Sequence, residues 1–293
     1  MLVAFLGFGL IGGSIARALR GAGGSPDLRL VAWTPNGTGP ERAVADGVLD
    51  AAAHSPAEAI GGADLIVLAA PPLDCLGLLD ELGGPGRASL ARGVTITDVA
   101  STKAAIVVRA ASHGLPFVGG HPMAGRETSG YGAATADLFV DRPWVVVRGD
   151  GATERDVHAV EALALACGAR PIGMDAAAHD AAVAGTSHLP LILAAALVEA
   201  VVGADAGADR TDRPFLPELT AGGWRDMTRL ARGDVVMGTG IIVTNGPALA
   251  GRIRDVRSVL DGWLAELDRP GGPDEGAVAD RLQAVRDRLE RID

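Results

Sequence analysis

The sequence runs to 293 residues, enough for two domains at roughly 100 to 200 residues each. Its 48% hydrophobic and 21% charged content exclude a disordered chain, and a net charge of -10 argues against nucleic acid or an anionic membrane surface as partner. The two cysteines, Cys75 and Cys167, form no CxxC pair and fit a reducing compartment, so a cytoplasmic location is expected.

The chain opens on an apolar strand, Leu2 to Leu6, which leaves no room for a charged leader. Gly7, Gly9 and Gly12 follow with G-x-G-x-x-G spacing, then a helix from Leu10 to Arg20. Strand, glycine turn and helix in that order predict a dinucleotide site, with the pyrophosphate against Gly7, Gly9, Leu10, Ile11 and Gly12 at the helix N-terminus. Leu28 to Trp33 reads as the second strand. An NAD-preferring fold usually places Asp or Glu at its end, about 20 residues past the glycines. Thr34 stands there instead, with Asn36, Thr38 and Arg42 able to donate to a phosphate, which tilts the expected cofactor toward NADP over NAD. A polar turn that touches nothing is the plain alternative for each of these residues.

Strand and helix then alternate as in a parallel sheet. Ala63 to Ala69 is a strand ending in Ala70-Pro71-Pro72, followed by a helix from Leu73 to Leu82. Gly93 to Asp98 is a strand ending in Val99-Ala100-Ser101-Thr102, followed by a helix from Lys103 to Ser112. Pro116 to Val118 is a short strand entering the loop Gly119 to Gly125, which carries His121. Pro143 to Arg148 and Arg170 to Met174 are further strands around a helix from Glu154 to Cys167. Ligands of open parallel sheets bind beyond the carboxyl ends of the strands, so Gly7 to Gly12, Ala70 to Pro72, Asp98 to Lys103 and Gly119 to Gly125 are expected to line one crevice.

From Asp175 strand signals stop and helical periodicity takes over: His179 to Val202, bent near Pro190, then Pro217 to Arg232, Val235 to Thr244, Pro247 to Leu267 and Asp274 to Arg291. The fold class is α/β, a Rossmann-type doubly wound parallel sheet over residues 1–174 followed by an all-helical domain over 175–293. The most apolar run, Leu189 to Gly203, holds Pro190 and Glu199 and is too short and interrupted for a membrane span.

Within this frame His121 is the strongest catalytic candidate, an imidazole at the crevice able to take a hydroxyl proton while hydride leaves the same carbon. Ser101 reads as a helix N-cap, a substrate contact, or both. Lys103, the one lysine in the chain, either neutralises a substrate anion or is merely solvated. His179 and His188 are nine residues apart, on roughly opposite faces of a straight helix, so only one is expected to face the crevice unless the helix bends. His188 serves a site or a satisfied core hydrogen bond. Arg225 and Arg229 share a helix face and could clamp a carboxylate or pair with Asp226. No cluster has metal-ligand spacing, and no metal is expected.

Six motifs in order, Gly7 to Gly13, Asp98-Val-Ala-Ser-Thr-Lys103, Gly120-His-Pro-Met-Ala-Gly125, His179-Asp180, Ser187-His-Leu-Pro190 and Gly222-Gly-Trp-Arg-Asp-Met-Thr-Arg229, resemble the prephenate and arogenate dehydrogenases of tyrosine biosynthesis. The resemblance implies an oxidative decarboxylation with hydride transfer to a nicotinamide, and a homodimer formed through the helical domain. It assigns proton removal to His121, the active-site serine to Ser101, the motif lysine to Lys103 and the substrate-binding arginine to Arg229 rather than Arg225. It places His179 and Asp180 near the site entrance, with Glu127 as their partner on the loop wall. Two positions depart from the family pattern. Leu191 replaces a histidine common in prephenate-specific members, which together with Thr34 resembles the arogenate-using, NADP-using branch; Arg126 replaces a small hydroxyl residue. Two readings compete. A 3-hydroxyacid-type dehydrogenase would need a lysine on the helix after the nucleotide domain, which is absent, and a catalytically inactive nucleotide sensor would not need His121, Ser101 and Arg229 together.

Overall fold

The computed structural model describes residues 1–21, 27–126, 128–203 and 216–292. By internal contact the chain divides into two compact units, Met1–Gly246 and Pro247–Asp293. The first holds an eight-stranded sheet: β1 (Leu2–Leu6), β2 (Arg29–Trp33), β3 (Ala51–Ala52), β4 (Leu65–Leu68), β5 (Thr95–Asp98), β6 (Phe117–Pro122), β7 (Pro143–Arg148) and β8 (Arg170–Gly173). The order is β3-β2-β1-β4-β5-β6-β7-β8, with every neighbouring pair parallel except β6 and β7. The central strands are apolar on both faces because both faces are covered. Val3, Phe5 and Val67 enter one core layer and Ala4, Leu6 and Ile66 the other.

The covering helices are α1 (Leu10–Gly21), α2 (Thr38–Ala45), α3 (Pro56–Ile60), α4 (Pro72–Gly83), α5 (Ala104–Ser112) and α6 (Glu154–Ala166). Helices α2 and α3 and strand β3 are absent from the sequence reading, being too short for periodicity to reveal. Ser55 starts α3 by accepting the Glu58 amide at 3.1 Å. Strand β6 also runs farther than expected. His121 and Pro122 belong to it, because Gly119 and Gly120 pair with Val147 and Val146 of β7. A side chain at Gly120 would meet the Asp98 carbonyl at 2.5 Å, so only glycine lets β6 pass so close to β5.

After β8 the unit is helical: α7 (Ala176–Val183), a π turn (Ala184–His188), α8 (Leu189–Val202), α9 (Leu216–Leu219), α10 (Gly222–Thr228) and α11 (Val235–Thr244). The sequence division near residue 174 separates sheet from helix, whereas contacts part the chain after Gly246. The continuous helix Ala176–Val202 is longer than the apolar run read from sequence, and by length and composition alone it could cross a membrane. Here α7 packs on α5 and α8 on α10, burying His179, Asp180, His188 and Ala194. The second unit contains α12 (Gly246–Leu267) from its second residue onward and α13 (Glu275–Leu289). Within it Arg281 stacks over Trp263 at 3.9 Å and donates to the Val259 carbonyl.

Candidate active site

A cavity of about 640 Å³ opens at the carboxyl ends of β1, β4, β5 and β6. Its nucleotide side is shaped by the three glycines, each for a different reason. Gly7 has a φ of 87°, and a side chain there would stand 2.5 Å from the Ala69 carbonyl. A side chain at Gly12 would meet the Ala69 Cβ at 3.0 Å, so this glycine lets α1 pack on the sheet, whereas Gly9 faces open space. Gly9, Leu10 and Ile11 line the cavity with Ala70 and Pro71 opposite, and the first turn of α1 leaves its amides without helical acceptors. A bare backbone, a helix N-terminus and open space in front of Gly9 suit the pyrophosphate of a dinucleotide.

Thr34, Asn36 and Arg42 do not line this cavity. The Thr34 hydroxyl donates to Asn36 Oδ1 at 3.2 Å and accepts the Gly37 amide at 3.1 Å, and the Thr38 hydroxyl also donates to Asn36. Arg42 lies beside Gly132.

On the other side His121 faces the cavity from the end of β6. Its Nδ1 is 2.8 Å from His179 Nε2, and His179 Nδ1 is 2.8 Å from Asp180 Oδ1. The Asp180 carboxylate also accepts the amides of Lys103 at 2.8 Å and Ala104 at 2.9 Å. An acceptor-only carboxylate requires the proton of His179 on Nδ1, which leaves Nε2 to accept from His121 Nδ1–H. The free lone pair of His121 is therefore on Nε2, the nitrogen not engaged by His179. Burial pushes the His121 pKa well below 6.5, and the charge of Lys103 and the neighbouring His179 and His188 act in the same sense. Burial alone would raise Asp180, but the bonds from His179, Ala104 and Lys103 hold its carboxyl below the usual range.

These placements correct three expectations. His179 and Asp180 do not stand at the entrance; they are buried behind His121 and line no part of the cavity. Lys103 is neither solvated nor available to a substrate, because it is fully buried and paired with Asp98. Asp98 in turn accepts the amides of Gly120 at 3.0 Å and Ala100 at 3.1 Å, tying together the strand ends that carry His121 and Ser101. Burial pushes the Asp98 carboxyl up, against the opposing pull of Lys103. Ser101 is not the N-cap of α5 either, since Asp180 caps that helix from 76 positions away in sequence. The Ser101 hydroxyl is buried without a hydrogen-bond partner and lines the cavity.

His188 reaches the same cavity although nine residues separate it from His179. The π turn explains this, because i→i+5 bonding advances each residue by a smaller angle than an α-helix and turns His188 away from the opposite face. Arg229 lines the cavity and Arg225 does not; α10 ends at Thr228, and Arg229 opens a 3₁₀ turn. Arg126 and Leu191 also line it, whereas Glu127 lies outside the described residues.

Residues 15–172 match the model of the prephenate dehydrogenase nucleotide-binding domain, and residues 175–269 match that of the prephenate dehydrogenase dimerization domain. The chain belongs to the prephenate dehydrogenase family. It is 32% identical to the prephenate dehydrogenase of Bacillus subtilis over 90% of its own length and 67% of that protein. The crystal structure of Synechocystis arogenate dehydrogenase is similar over 99% of this chain and 100% of that one, with 29% identity and a TM-score of 0.78. The fold is shared with an Aquifex aeolicus prephenate dehydrogenase crystallised with hydroxyphenyl propionate and NAD+, at a TM-score of 0.86, 24% identity and coverage of 100% and 98%.

As a member of this family the chain has a nicotinamide-nucleotide domain, and five of the six motifs quoted from its sequence contribute residues to one cavity, while His179-Asp180 stands behind His121. Asn245 and the strand-tying role of Asp98 were not legible in advance. Asn245 follows an apolar helix with no motif around it, yet it is buried and donates to His188 Nδ1 and to the Asp180 carbonyl.

Proposed function

We propose that this chain is a homodimeric cytoplasmic dehydrogenase of tyrosine biosynthesis that oxidatively decarboxylates arogenate or prephenate, with residues 1–174 holding the nucleotide and 175–293 serving substrate binding and dimerisation. The observation that carries the reading is the hydrogen-bonded chain His121–His179–Asp180 behind a cavity that His121 shares with Gly9, Ser101 and Arg229.

Gly7, Gly9, Leu10, Ile11 and Gly12 would hold the cofactor pyrophosphate, with Ala70 and Pro71 as the facing wall. When bound, the nicotinamide supplies the hydride acceptor. His121 Nε2 takes the proton of the ring hydroxyl as its carbon becomes a carbonyl. The resulting imidazolium keeps its Nδ1–H on His179, and the Asp180 carboxylate balances the charge through that second ring. Ser101 orients the ring hydroxyl, Arg229 takes a substrate carboxylate, and His188 donates to the substrate. Glu127 is proposed as a further contact of the substrate loop. Lys103 serves the substrate indirectly, by keeping Asp98 ionised where it pins β5 to β6 and by disfavouring a proton on His121.

The finer preferences are for arogenate and for NADP. Leu191 puts an apolar surface where many prephenate-specific relatives carry a histidine, and no carboxylate at Thr34 opposes a 2'-phosphate near Asn36 and Arg42. Dimerisation is supported by α11, whose Val235, Val236 and Val243 are 80%, 58% and 61% exposed. Burying each would return roughly 1.5 kcal/mol or more.

The test is a two-by-two assay of prephenate or arogenate with NAD or NADP, followed by nicotinamide reduction. Turnover of arogenate with NADP is expected to be fastest. Reduction in none of the four mixtures would overturn the activity, and a clear preference for prephenate or NAD would overturn the finer assignment.

A further inference from the structure

Asn245 is 3% exposed at the end of α11, and no motif or proposed contact accounts for it. Its Nδ2 lies 2.9 Å from the Asp180 carbonyl and 3.0 Å from His188 Nδ1. The first distance fixes the amide, because a carbonyl accepts and cannot face Oδ1 so closely without loss. Nδ2 therefore carries both protons toward Asp180 and His188. His188 Nδ1 must then be the acceptor, and the ring proton sits on Nε2. That nitrogen is buried and makes no close, well-aligned hydrogen bond, the Ser101 carbonyl drawing on it only weakly, in a side chain that lines the cavity; the Ser101 hydroxyl is buried there without a partner. A buried donor without a well-formed partner is destabilising, and a ligand oxygen would relieve that cost.

We propose that Asn245 is a positioning residue that locks His188 in its Nε2–H tautomer, making His188 a neutral hydrogen-bond donor for an acceptor oxygen of the cyclohexadienyl substrate. The ligand class rests on the function proposed above; the tautomer does not. Neutrality has a chemical reason. A carboxylate that departs as carbon dioxide gives up its charge, so a cation beside it would stabilise the ground state more than the transition state, whereas a neutral donor opposes departure less. Burial holds the His188 pKa down at about 4, with His179 acting in the same sense and Asp180 and the Ser101 carbonyl acting against it. Among the described residues, His121, Arg126, Arg229 and Asp234 are the other titratable groups lining this cavity.

The experiment combines imidazole nitrogen NMR of the histidine-labelled protein with kinetics of Asn245→Asp, Asn245→Ala, His188→Gln and His188→Leu. Wild-type His188 is expected to show the neutral Nε2–H pattern from pH 6 to 9. In Asn245→Asp a carboxylate replaces the amide donor and pulls the proton to Nδ1, so at pH 8 kcat/KM should fall about tenfold or more while cofactor affinity stays unchanged. Lowering the pH should then raise the activity of Asn245→Asp relative to wild type, because the imidazolium regains Nε2–H. A purely structural defect would not produce that trend. His188→Gln, whose amide nitrogen sits near the position of Nε2, should retain more activity than His188→Leu. An Nδ1–H tautomer in the wild type, a pH-independent activity ratio for Asn245→Asp, or equal losses in His188→Gln and His188→Leu would each overturn the proposal. If Asn245→Asp fails to fold, Asn245→Ala must show mixed tautomers by the same NMR measurement, and a pure Nε2–H pattern there overturns the lock. Absence of turnover in the wild type with an Nε2–H His188 would instead reject the function and leave the tautomer standing.

Discussion

At the scale of single residues the site works by fixing where protons are. Asp180 sets His179, and His179 sets His121, so the base proposed here faces the cavity already in its accepting form. His121→Ala is expected to abolish turnover while cofactor titration stays normal; near-wild-type rates would reject the assignment. Asp180→Asn keeps the size but removes the charge behind the relay and turns an NH2 group toward one of the N–H donors that Asp180 accepts, and a loss of about 10²-fold or more in kcat is expected by comparison with general-base contributions. Because burial lowers the His121 pKa, its neutral form persists as pH falls below 6.5, so the acid limb of kcat/KM should lie well below that value. A limb at 6.5 or above in the pH profile would show that His121 is not the titrating base. Thr34→Asp should shift preference toward NAD by opposing a 2'-phosphate, which the ratio of kcat/KM values for the two cofactors measures.

At the scale of elements, close approach of β5 and β6 brings Ser101 and His121 to one wall. Gly120 permits it, and Asp98 bonds both strand ends. Gly120→Ala would push a methyl group into the Asp98 carbonyl 2.5 Å away. A cost of about 1–3 kcal/mol is expected, seen as a drop of several degrees in Tm and a disproportionate fall in kcat, since His121 is the next residue. An unchanged melting curve would mean that the strands can part without harm. The π turn does a comparable job in the helices, bringing His188 to the cavity wall while His179 stays behind His121.

At the scale of the molecule, buried neutral histidines link stability to pH. His121 and His188 have lowered pKa values in the folded chain, whereas the unfolded chain takes up their protons near 6.5. Their contribution is fully present above about 6.5 and is lost as pH falls from there through about 4 for His188. Thermal denaturation should show Tm declining over that window, and less steeply in His188→Gln; parallel curves would reject the linkage. The exposed valines of α11 predict a particle of about twice the 29.6 kDa chain in light scattering, and a monomer at micromolar concentration would reject the dimer.

The α/β class, the glycine turn and the convergence of four strand-end loops are written in the residues, because apolar runs, glycine spacing and strand-to-helix alternation are local properties that each segment carries alone. Gly9 and His121 were placed at the cavity for that reason, whereas Ser101, His188 and Arg229 each left two local readings open. Only the tertiary structure decided what lies behind them. Lys103 is taken up by Asp98, and Asp180 caps α5 from far along the chain in place of Ser101. Asn245 carried no signal at all. Proton positions and charge pairing depend on contacts between residues distant in sequence, and no local pattern encodes them.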